Sequence, residues 1–132
     1  MIEKLAACCA SLGIDAYLVG GFVRDWLVSA RPGQDIDIAV PGDPEAAAKQ
    51  IADKLGGEFV TLGSAHGVAR VALPADGEAG NDPWNIDVDG FSGSLEEDLS
   101  RRDFTVNAMA VALVDWPSMD SVIDPFGGRS DL

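Results

Sequence analysis

The stretch Asp35-Ile36-Asp37-Ile38-Ala39-Val40 decides how this chain folds. Its alternation of carboxylates with apolar residues predicts a β-strand, because successive side chains of a strand point to opposite faces. Asp35 and Asp37 would then share one face, with Cα atoms about 6.8 Å apart, and would repel each other by roughly 2.4 kcal/mol at an effective dielectric of about 20. A bound cation would remove that repulsion, and Mg²⁺ is usually held by one or two carboxylates together with substrate phosphates. Taken alone, the pattern also fits the polar face of an edge strand, where charges discourage aggregation.

The composition indicates one globular domain. The chain has 132 residues, of which 47% are hydrophobic and 23% charged, which is enough for a single core and too little for two. No apolar run approaches the roughly 18 residues of a membrane span, and the first residues lack the basic and apolar regions of a signal peptide. The adjacent Cys8 and Cys9 cannot form a disulfide framework and predict reduced thiols in a cytoplasmic protein.

The net charge limits the partners that the chain can bind. It is −13, from 22 acidic and 9 basic residues, which argues against non-specific binding of DNA or RNA, because phosphate backbones are bound through an excess of Lys and Arg. A local basic site stays open, since four bases fall in or near the motifs described below: Arg24, Arg70, Arg101 and Arg102.

The order of the predicted elements is typical of an α/β (α+β) fold. Helical periodicity covers residues 2–12, and Asp43-Pro44-Glu45 predicts an N-cap and first turn of a helix ending at Leu55. Ser94 and Glu97 form a capping-box pattern before another short helix. Strands are predicted at 16–19, 35–40, 58–62, 68–73 and 84–88, and residues 104–113 read as helix into strand. We expect a mixed sheet of about five strands, with helices mainly on one face.

The segment Val19-Gly20-Gly21-Phe22-Val23-Arg24-Asp25 predicts a strand, a tight turn and the start of a helix. Glycines allow a ligand to approach the backbone closely. A helix N-terminus suits phosphate, and Arg24, one turn further on, could reach the same anion with a bidentate fork. By itself the segment fits equally well a plain turn with a surface Arg–Asp pair.

A third carboxylate follows on a later strand, in Asn85-Ile86-Asp87-Val88-Asp89. Three carboxylates on neighbouring strands can hold two Mg²⁺ ions about 3.5–4 Å apart, the arrangement for in-line phosphoryl or nucleotidyl transfer. Asp87 and Asp89 both fit the third position. Further on, Asp103 and Asn107 are four residues apart, which predicts one helical face, while the preceding Arg101 and Arg102 either pair with the acidic helix 96–98 or belong to a site.

These motifs together closely resemble the head domain of class II tRNA CCA-adding enzymes and bacterial poly(A) polymerases, within the DNA polymerase β nucleotidyltransferase superfamily. The resemblance runs from about Asp15 to Leu132. Four segments carry it in the order and spacing of the family: Gly20-Gly21-x-Val23-Arg24-Asp25; Asp35-Ile36-Asp37-Ile38; Leu95-Glu96-Glu97-Asp98-Leu99-x-Arg101-Arg102-Asp103-Phe104-Thr105-x-Asn107-Ala108-Met109-Ala110; and Asp124-Pro125-Phe126-Gly127-Gly128.

The resemblance implies a metal-dependent nucleotidyltransferase that adds CMP or AMP from CTP or ATP to the 3′ end of tRNA or another RNA. It implies two Mg²⁺ ions, for which Mn²⁺ can substitute, one activating the attacking hydroxyl and one neutralising the triphosphate. The implied metal-binding catalytic residues are Asp35, Asp37 and Asp87. The residues implied to bind the nucleotide are Gly20, Gly21 and Arg24 for the triphosphate, and Arg102, Asp103 and Asn107 for the ribose and phosphates.

The chain also departs from the family pattern. The resemblance covers the head alone. We therefore expect the chain, residues 1–132, to lack the neck that reads the incoming base and the body and tail that grip tRNA in the family, and to be either an excised domain or a stand-alone descendant. The segment 89–93 is short and lacks the basic residue of the family's flexible loop, and Ala65-His66-Gly67-Val68 replaces an aromatic-Gly-Thr pattern of the family. The sequence therefore does not decide whether the substrate is CTP or ATP. It also does not decide between CCA addition and poly(A) synthesis. Two alternatives remain, a stand-alone nucleotidyltransferase that modifies a protein or small molecule, and a non-catalytic nucleotide-binding module.

Overall fold

The computed structural model describes residues 1–28, 33–61, 68–74 and 83–132. The sequence also predicts a turn at Arg31-Pro32-Gly33 and a polar loop over 74–83. Of these, Arg31, Pro32 and residues 75–82 lie outside the described residues, as does His66. In chain order the helices and strands are α1 Ile2–Leu12, β1 Tyr17–Val19, α2 Gly21–Leu27, β2 Asp35–Pro41, α3 Pro44–Leu55, β3 Glu58–Thr61, β4 Val68–Leu73, β5 Trp84–Phe91, α4 Leu95–Ser100 and β6 Ala110–Ala112. Short 3₁₀ turns cover Thr105–Asn107, Leu113–Asp115, Met119–Ser121 and Gly128–Asp131.

The strands form one mixed sheet in the order β3-β4-β5-β2-β1-β6. The pair β2 and β5 is parallel, and the other four pairs are antiparallel. The predicted α/β fold with a mixed sheet is confirmed. The described sheet has six strands because the apolar segment after residue 104 supplies a short edge strand, β6, beside β1.

Local sequence signals set the ends of the helices. The Asp43 side chain accepts a hydrogen bond of 3.0 Å from the Glu45 amide at the start of α3, and Pro44 occupies the first turn, where its missing N–H costs nothing. Ser94 caps α4 in the same way, accepting from the Glu97 amide at 3.1 Å. Gly13 and Gly56 end α1 and α3 in the left-handed conformation.

Apolar side chains cover the two faces of the sheet in separate clusters. The larger cluster joins the inward positions of β2, β4 and β5 to α1 and α3, with Ile36, Ile38, Ile86 and Leu5 fully buried. The smaller cluster lies on the opposite face, where α4 packs on residues such as Val19 and Ala39. Helices therefore lie mainly on one face, as predicted. The face that carries α4 is also the one to which the odd-numbered residues of β2 point, including Asp35 and Asp37.

Strand β5 extends further than the sequence indicates. It continues through Gly90 to Phe91, because it pairs with β2 along its whole length. Gly90 allows this pairing beside the turn after β2, since a Cβ at this position would lie 2.5 Å from the carbonyl oxygen of Gly42. Asp89 is therefore a strand residue, and the strand predicted at 84–88 ends three residues too early.

The segment after α4 is the second difference. Asp103 and Asn107 do not share a helical face, because only Thr105–Asn107 is helical and it forms a single 3₁₀ turn. Asp103 precedes that turn and is exposed. Among the described residues, no helix is long and apolar enough to cross a membrane.

Candidate active site

A row of carboxylates lies where β2 and β5 run parallel. In the register of the two strands Asp37 stands opposite Asp87, Asp35 opposite Asn85, and Ala39 opposite Asp89. Because residues opposite each other in a parallel pair point to the same face, all four carboxylates project from the α4 side of the sheet. We call Asp35, Asp37, Asp87 and Asp89 the acidic row. The sheet itself holds them in place, since the residues between them are buried in the core.

Asp37 is the carboxylate of the row whose negative charge is disfavoured both by burial and by its three acidic neighbours. Burial raises the pKa of its carboxyl, and the negative charges of Asp87, Asp35 and Asp89 raise it further, while Arg102 opposes them. Asp35 is exposed, and its Oδ1 accepts a hydrogen bond of 3.2 Å from the Asn85 side chain. A carboxylate that is buried among like charges favours any cation that can bind beside it.

Asp87 lies in the ion pair with Arg70 of the neighbouring strand β4. The Nε of Arg70 donates to Oδ1 of Asp87 at 2.7 Å and Nη2 donates to Oδ2 at 3.3 Å. The two residues are register partners, so the sheet holds the guanidinium beside the carboxylate. Of the two candidates for the third carboxylate, Asp87 is thus the neighbour of Asp37, whereas Asp89 lies one pleat further along and faces Arg102, 3.9 Å away.

The acidic row suits a hard divalent cation by its chemistry. Carboxylate oxygens are the ligands that Mg²⁺ prefers, and Asp35 and Asp37 have no basic side chain within ion-pair distance among the described residues. Within the same part of the chain, no three Asp, Glu, His or Cys side chains converge closely enough to enclose a metal by themselves. Mg²⁺ is usually held by one or two carboxylates together with water and substrate phosphates, and Asp35 and Asp37 are the residues of the row that are suited to that role.

Gly20 brings the backbone of the β1–α2 turn against the acidic row. It adopts φ 73° and ψ −146°, which only glycine reaches without strain. A Cβ at Gly20 would lie 3.4 Å from Oδ2 of Asp37 and 3.6 Å from Nη1 of Arg102. The predicted turn residue, the carboxylate and the predicted phosphate-binding Arg102 are therefore neighbours, with an unobstructed backbone between them.

Arg24 and Asn107 are also brought together. Arg24 lies in α2, its Nη1 donates to Oδ1 of Asn107 at 3.0 Å, and its Nε donates to Asp25 at 3.1 Å. The bond joins two motifs that are far apart in sequence. Gly21 packs against the same guanidinium, since a Cβ there would lie 3.2 Å from Nη2 of Arg24. Asp103 stands apart from this group: it is exposed and forms no ion pair or side-chain hydrogen bond with the described residues.

A second group forms around the C-terminal end of α4. Asp98 is 6% exposed and pairs with Nη2 of Arg101 at 2.7 Å and, at 3.7 Å, with Nη2 of Arg102. Arg102 thus lies between Asp98 and Asp89, at distances longer than a hydrogen bond, and its Nε is buried without a partner among the described residues. A cleft lined by Asp89, Asp98 and both arginines opens here. Burial, and next the charge of Asp98, raise the pKa of Asp89.

Two of these residues had no assigned role from the sequence. Arg70 alternates with the buried Ala69 and Val71, which puts it on the polar face of β4, but only the pairing register identifies Asp87 as its partner. In the sequence Asp98 is one of three acids in the first turn of a helix. Nothing local marks it as buried, because its burial results from the packing of α4 against the sheet. The signal available in the sequence was that Arg70 is the one charged residue within the apolar run 68–73.

The fold and the site define a nucleotidyltransferase head of the kind that the sequence motifs predict. The chain matches the poly(A) polymerase head domain family over residues 16–132 and belongs to it. The predicted resemblance is thereby confirmed.

The curated relatives of the chain include CC-adding and A-adding tRNA nucleotidyltransferases. The chain is 40% identical over 121 residues to a CC-adding tRNA nucleotidyltransferase of Geobacter sulfurreducens. The matched region covers 91% of this chain and 26% of the relative. It is 34% identical over 140 residues to an A-adding tRNA nucleotidyltransferase of Halalkalibacterium halodurans, covering 100% of this chain and 32% of the relative. The chain thus spans about a quarter to a third of the length of these relatives.

Solved structures share the fold. A Thermotoga maritima CCA-adding enzyme complexed with tRNA superposes with a TM-score of 0.76 at 32% identity, over 98% of this chain and 29% of that one. A tRNA nucleotidyltransferase complexed with a primer tRNA and an incoming ATP analogue gives a TM-score of 0.72 at 31% identity, over 99% of this chain and 36% of that one.

Proposed function

We propose that this chain is the catalytic head of a tRNA nucleotidyltransferase, which transfers CMP or AMP from CTP or ATP to an RNA 3′ end. The observation that carries the proposal is the acidic row, in which Asp37 stands opposite Asp87 on parallel strands beside the glycine turn. The names of the CC-adding and A-adding relatives, and the primer tRNA and ATP analogue in a solved relative, support this substrate class.

In this proposal Asp35, Asp37 and Asp87 are the carboxylates that bind two divalent ions, with one or two carboxylates on each ion and substrate phosphates completing its ligands. Bound Mg²⁺ would lower the pKa of the attacking 3′-hydroxyl and neutralise charge on the triphosphate. The role of the carboxylates is to fix its position, which they can do because β2 and β5 are rigid core strands. Asp87 is preferred over Asp89 as the third ligand because it is the register neighbour of Asp37.

The nucleotide would lie against the turn at Gly20. The missing side chain leaves the Gly20 backbone open towards Asp37 and Arg102, so a phosphate placed there meets the metal on one side and a guanidinium on the other. Arg102 is suited to this role because its contacts with Asp89 and Asp98 exceed hydrogen-bond distance, which leaves donors free for phosphate oxygens. Arg24, Gly21, Asn107 and Asp103 are proposed to contact the triphosphate and ribose around it.

The RNA substrate requires a different source of affinity. A net charge of −13 provides little attraction for RNA phosphates. We therefore propose that the 3′ end alone enters the site, and that the parts of the relatives which this chain does not span hold the rest of the RNA.

Calorimetry with ATP and CTP, each with and without Mg²⁺, tests the proposal. We expect binding that requires Mg²⁺ and that weakens at least tenfold in Asp37→Asn, because the variant keeps the shape but removes the central charge of the metal site. Asp53→Asn is the matched control, since Asp53 is exposed on α3 at the opposite face of the sheet. Binding that is independent of Mg²⁺, or equal in the two variants, would refute the proposal.

A further inference from the structure

Arg70 gives the acidic row a positive charge of its own. Its guanidinium bonds both oxygens of Asp87, at 2.7 and 3.3 Å, from the register position directly across the β4–β5 pair. The Arg70 side chain is 35% exposed and that of Asp87 is 25% exposed, so water screens the pair only partly. The position is fixed by the sheet and does not depend on a loop.

The influence of Arg70 extends beyond its partner. Arg70 is the register partner of Asp87 in the β4–β5 pair, and Asp87 is the register partner of Asp37 in the β2–β5 pair. The guanidinium therefore lies on the same face of the sheet as the acidic row that the proposed function assigns to the metal. A positive charge fixed in the sheet at this point reduces the negative electrostatic potential that would attract Mg²⁺.

We infer that Arg70 is a built-in counter-cation of the acidic row, which holds Asp87 when no metal is bound and lowers the affinity of the site for divalent cations. This inference rests on the proposed function, because it concerns the metal affinity of the same carboxylates. An ionised carboxylate has about four lone-pair sites, and Arg70 uses two of those on Asp87. A metal can thus bind Asp87 without displacing Arg70, but it then meets a fixed positive charge nearby.

A purely structural role for Arg70 has a different consequence. If the guanidinium only anchored the Asp87 side chain, removing it would leave the carboxylate poorly oriented and metal binding would become weaker. If Arg70 acts through its charge, removing it strengthens metal binding, and a lysine that keeps the charge but loses the bidentate fork leaves it nearly unchanged. The two roles therefore predict opposite signs for the same variant.

The test measures Mn²⁺ binding to the 132-residue chain at low ionic strength, by electron paramagnetic resonance of the free ion, with Mg²⁺ calorimetry as a second readout. We expect Arg70→Gln to bind Mn²⁺ about tenfold more tightly than the wild type, a change of about 1.4 kcal/mol, and Arg70→Lys to stay within about threefold. Arg129→Gln is the matched control for net charge, since the Arg129 side chain is exposed and donates to the Met119 carbonyl oxygen. Circular dichroism establishes that each variant is folded.

A double-mutant cycle locates the effect at Asp87. In an Asp87→Asn background, Arg70→Gln should change Mn²⁺ affinity less than it does in the wild type, because its partner carboxylate is gone. If the wild type binds Mn²⁺ and the folded Arg70→Gln variant binds it equally well or more weakly, the inference is overturned. The proposed function is not affected by that result. A wild type that binds no Mn²⁺ either alone or with ATP present would overturn both. If Arg70→Gln does not fold, Arg70→Lys decides, since weaker binding by this variant supports the anchoring role.

Discussion

Asp37 and Asp87 are direct register partners on the only parallel pair of strands in the described sheet. The parallel pairing matters because it puts two residues from distant parts of the sequence on one face with their side chains side by side. The residues on either side of both carboxylates are fully buried, so neither strand can move to relieve the repulsion. The site thus has a stability cost that a bound cation removes.

The first prediction follows from this cost. Asp37→Asn should stabilise the metal-free chain by about 1 kcal/mol, and raise the melting temperature by about 3 °C, because the amide keeps the shape and removes the repelled charge. The pKa of Asp37 is raised in the folded state, so ionisation of Asp37 destabilises the wild type above that pKa. The gain in stability of Asp37→Asn over the wild type should therefore be complete near neutral pH. It should disappear as the pH falls through the raised pKa of Asp37 towards the ordinary pKa of an aspartate.

Thermal unfolding of both proteins with EDTA and with excess Mg²⁺ measures the effect. Mg²⁺ should raise the melting temperature of the wild type and leave that of Asp37→Asn nearly unchanged. A variant that is less stable than the wild type without metal would show that the Asp37 carboxylate makes a favourable contact that outweighs its repulsion from the neighbouring acids.

The second prediction concerns the glycine turn. Gly20→Ala should lower stability by about 2 kcal/mol, because φ 73° with ψ −146° is a conformation that alanine does not reach without strain. It should also weaken Mg²⁺–ATP binding at least tenfold, since the new methyl would lie 3.4 Å from the Asp37 carboxylate. Calorimetry and chemical unfolding measure the two effects.

Gly13→Ala is the control for backbone strain alone. Gly13 also has a positive φ, of 70°, at the end of α1, and a Cβ there would meet no atom within 4 Å. This variant should lose about 1 kcal/mol of stability and keep its affinity for ATP. Equal affinities in the two variants would remove Gly20 from the nucleotide site.

Much of the fold could be predicted because its signals are local. Helix α3 begins and ends where Asp43, Pro44 and Gly56 indicate, since an N-cap, a first-turn proline and a left-handed C-cap act within a few residues. Strand β4 matches its predicted bounds for the same reason, because a short run of apolar residues interrupted only by Arg70 is itself a strand signal. The shared face of Asp35 and Asp37 could also be predicted locally, because these acids alternate with apolar residues along β2.

The rest depends on pairing between distant segments. The end of β5 could not be predicted, since it is fixed by pairing with Pro41 and by the fit of Gly90 against Gly42. The neighbour of Asp37 among the two later acids, and the partner of Asp87 in Arg70, are likewise set by strand register. The helical face predicted for Asp103 and Asn107 failed because spacing by four residues does not itself form a helix, and only one 3₁₀ turn is present.

The third prediction concerns the buried thiol of Cys9. Burial, and next the neighbouring Cys8, raise the pKa of Cys9 to about 12 from the ordinary 9.0. The neutral thiol is thus favoured in the folded state, and the stability it contributes is full below pH 9 and lost as the pH rises towards 12. Compared with Cys9→Ala, the wild type should therefore lose its stability advantage progressively above about pH 9, as measured by urea unfolding at a series of pH values. A difference that does not change with pH would contradict the buried position of the thiol.

The last prediction concerns Asp98, the one carboxylate that is almost fully buried among the described residues. Asp98→Asn should lower the free energy of unfolding by about 2 kcal/mol, because Arg101 and Arg102 lose a shared counter-charge while the cost of burying the polar group remains. It should also lower the pKa of Asp89, since the charge of Asp98 is one of the causes that raise it, and a carbon-detected NMR titration follows that carboxyl directly. Asp103→Asn is the matched control, because Asp103 is exposed in the same motif, and it should change stability by less than about 0.5 kcal/mol. Equal losses in the two variants would mean that burial does not distinguish these acids, whereas an unchanged Asp89 pKa would place the charge of Asp98 too far away to act on the acidic row.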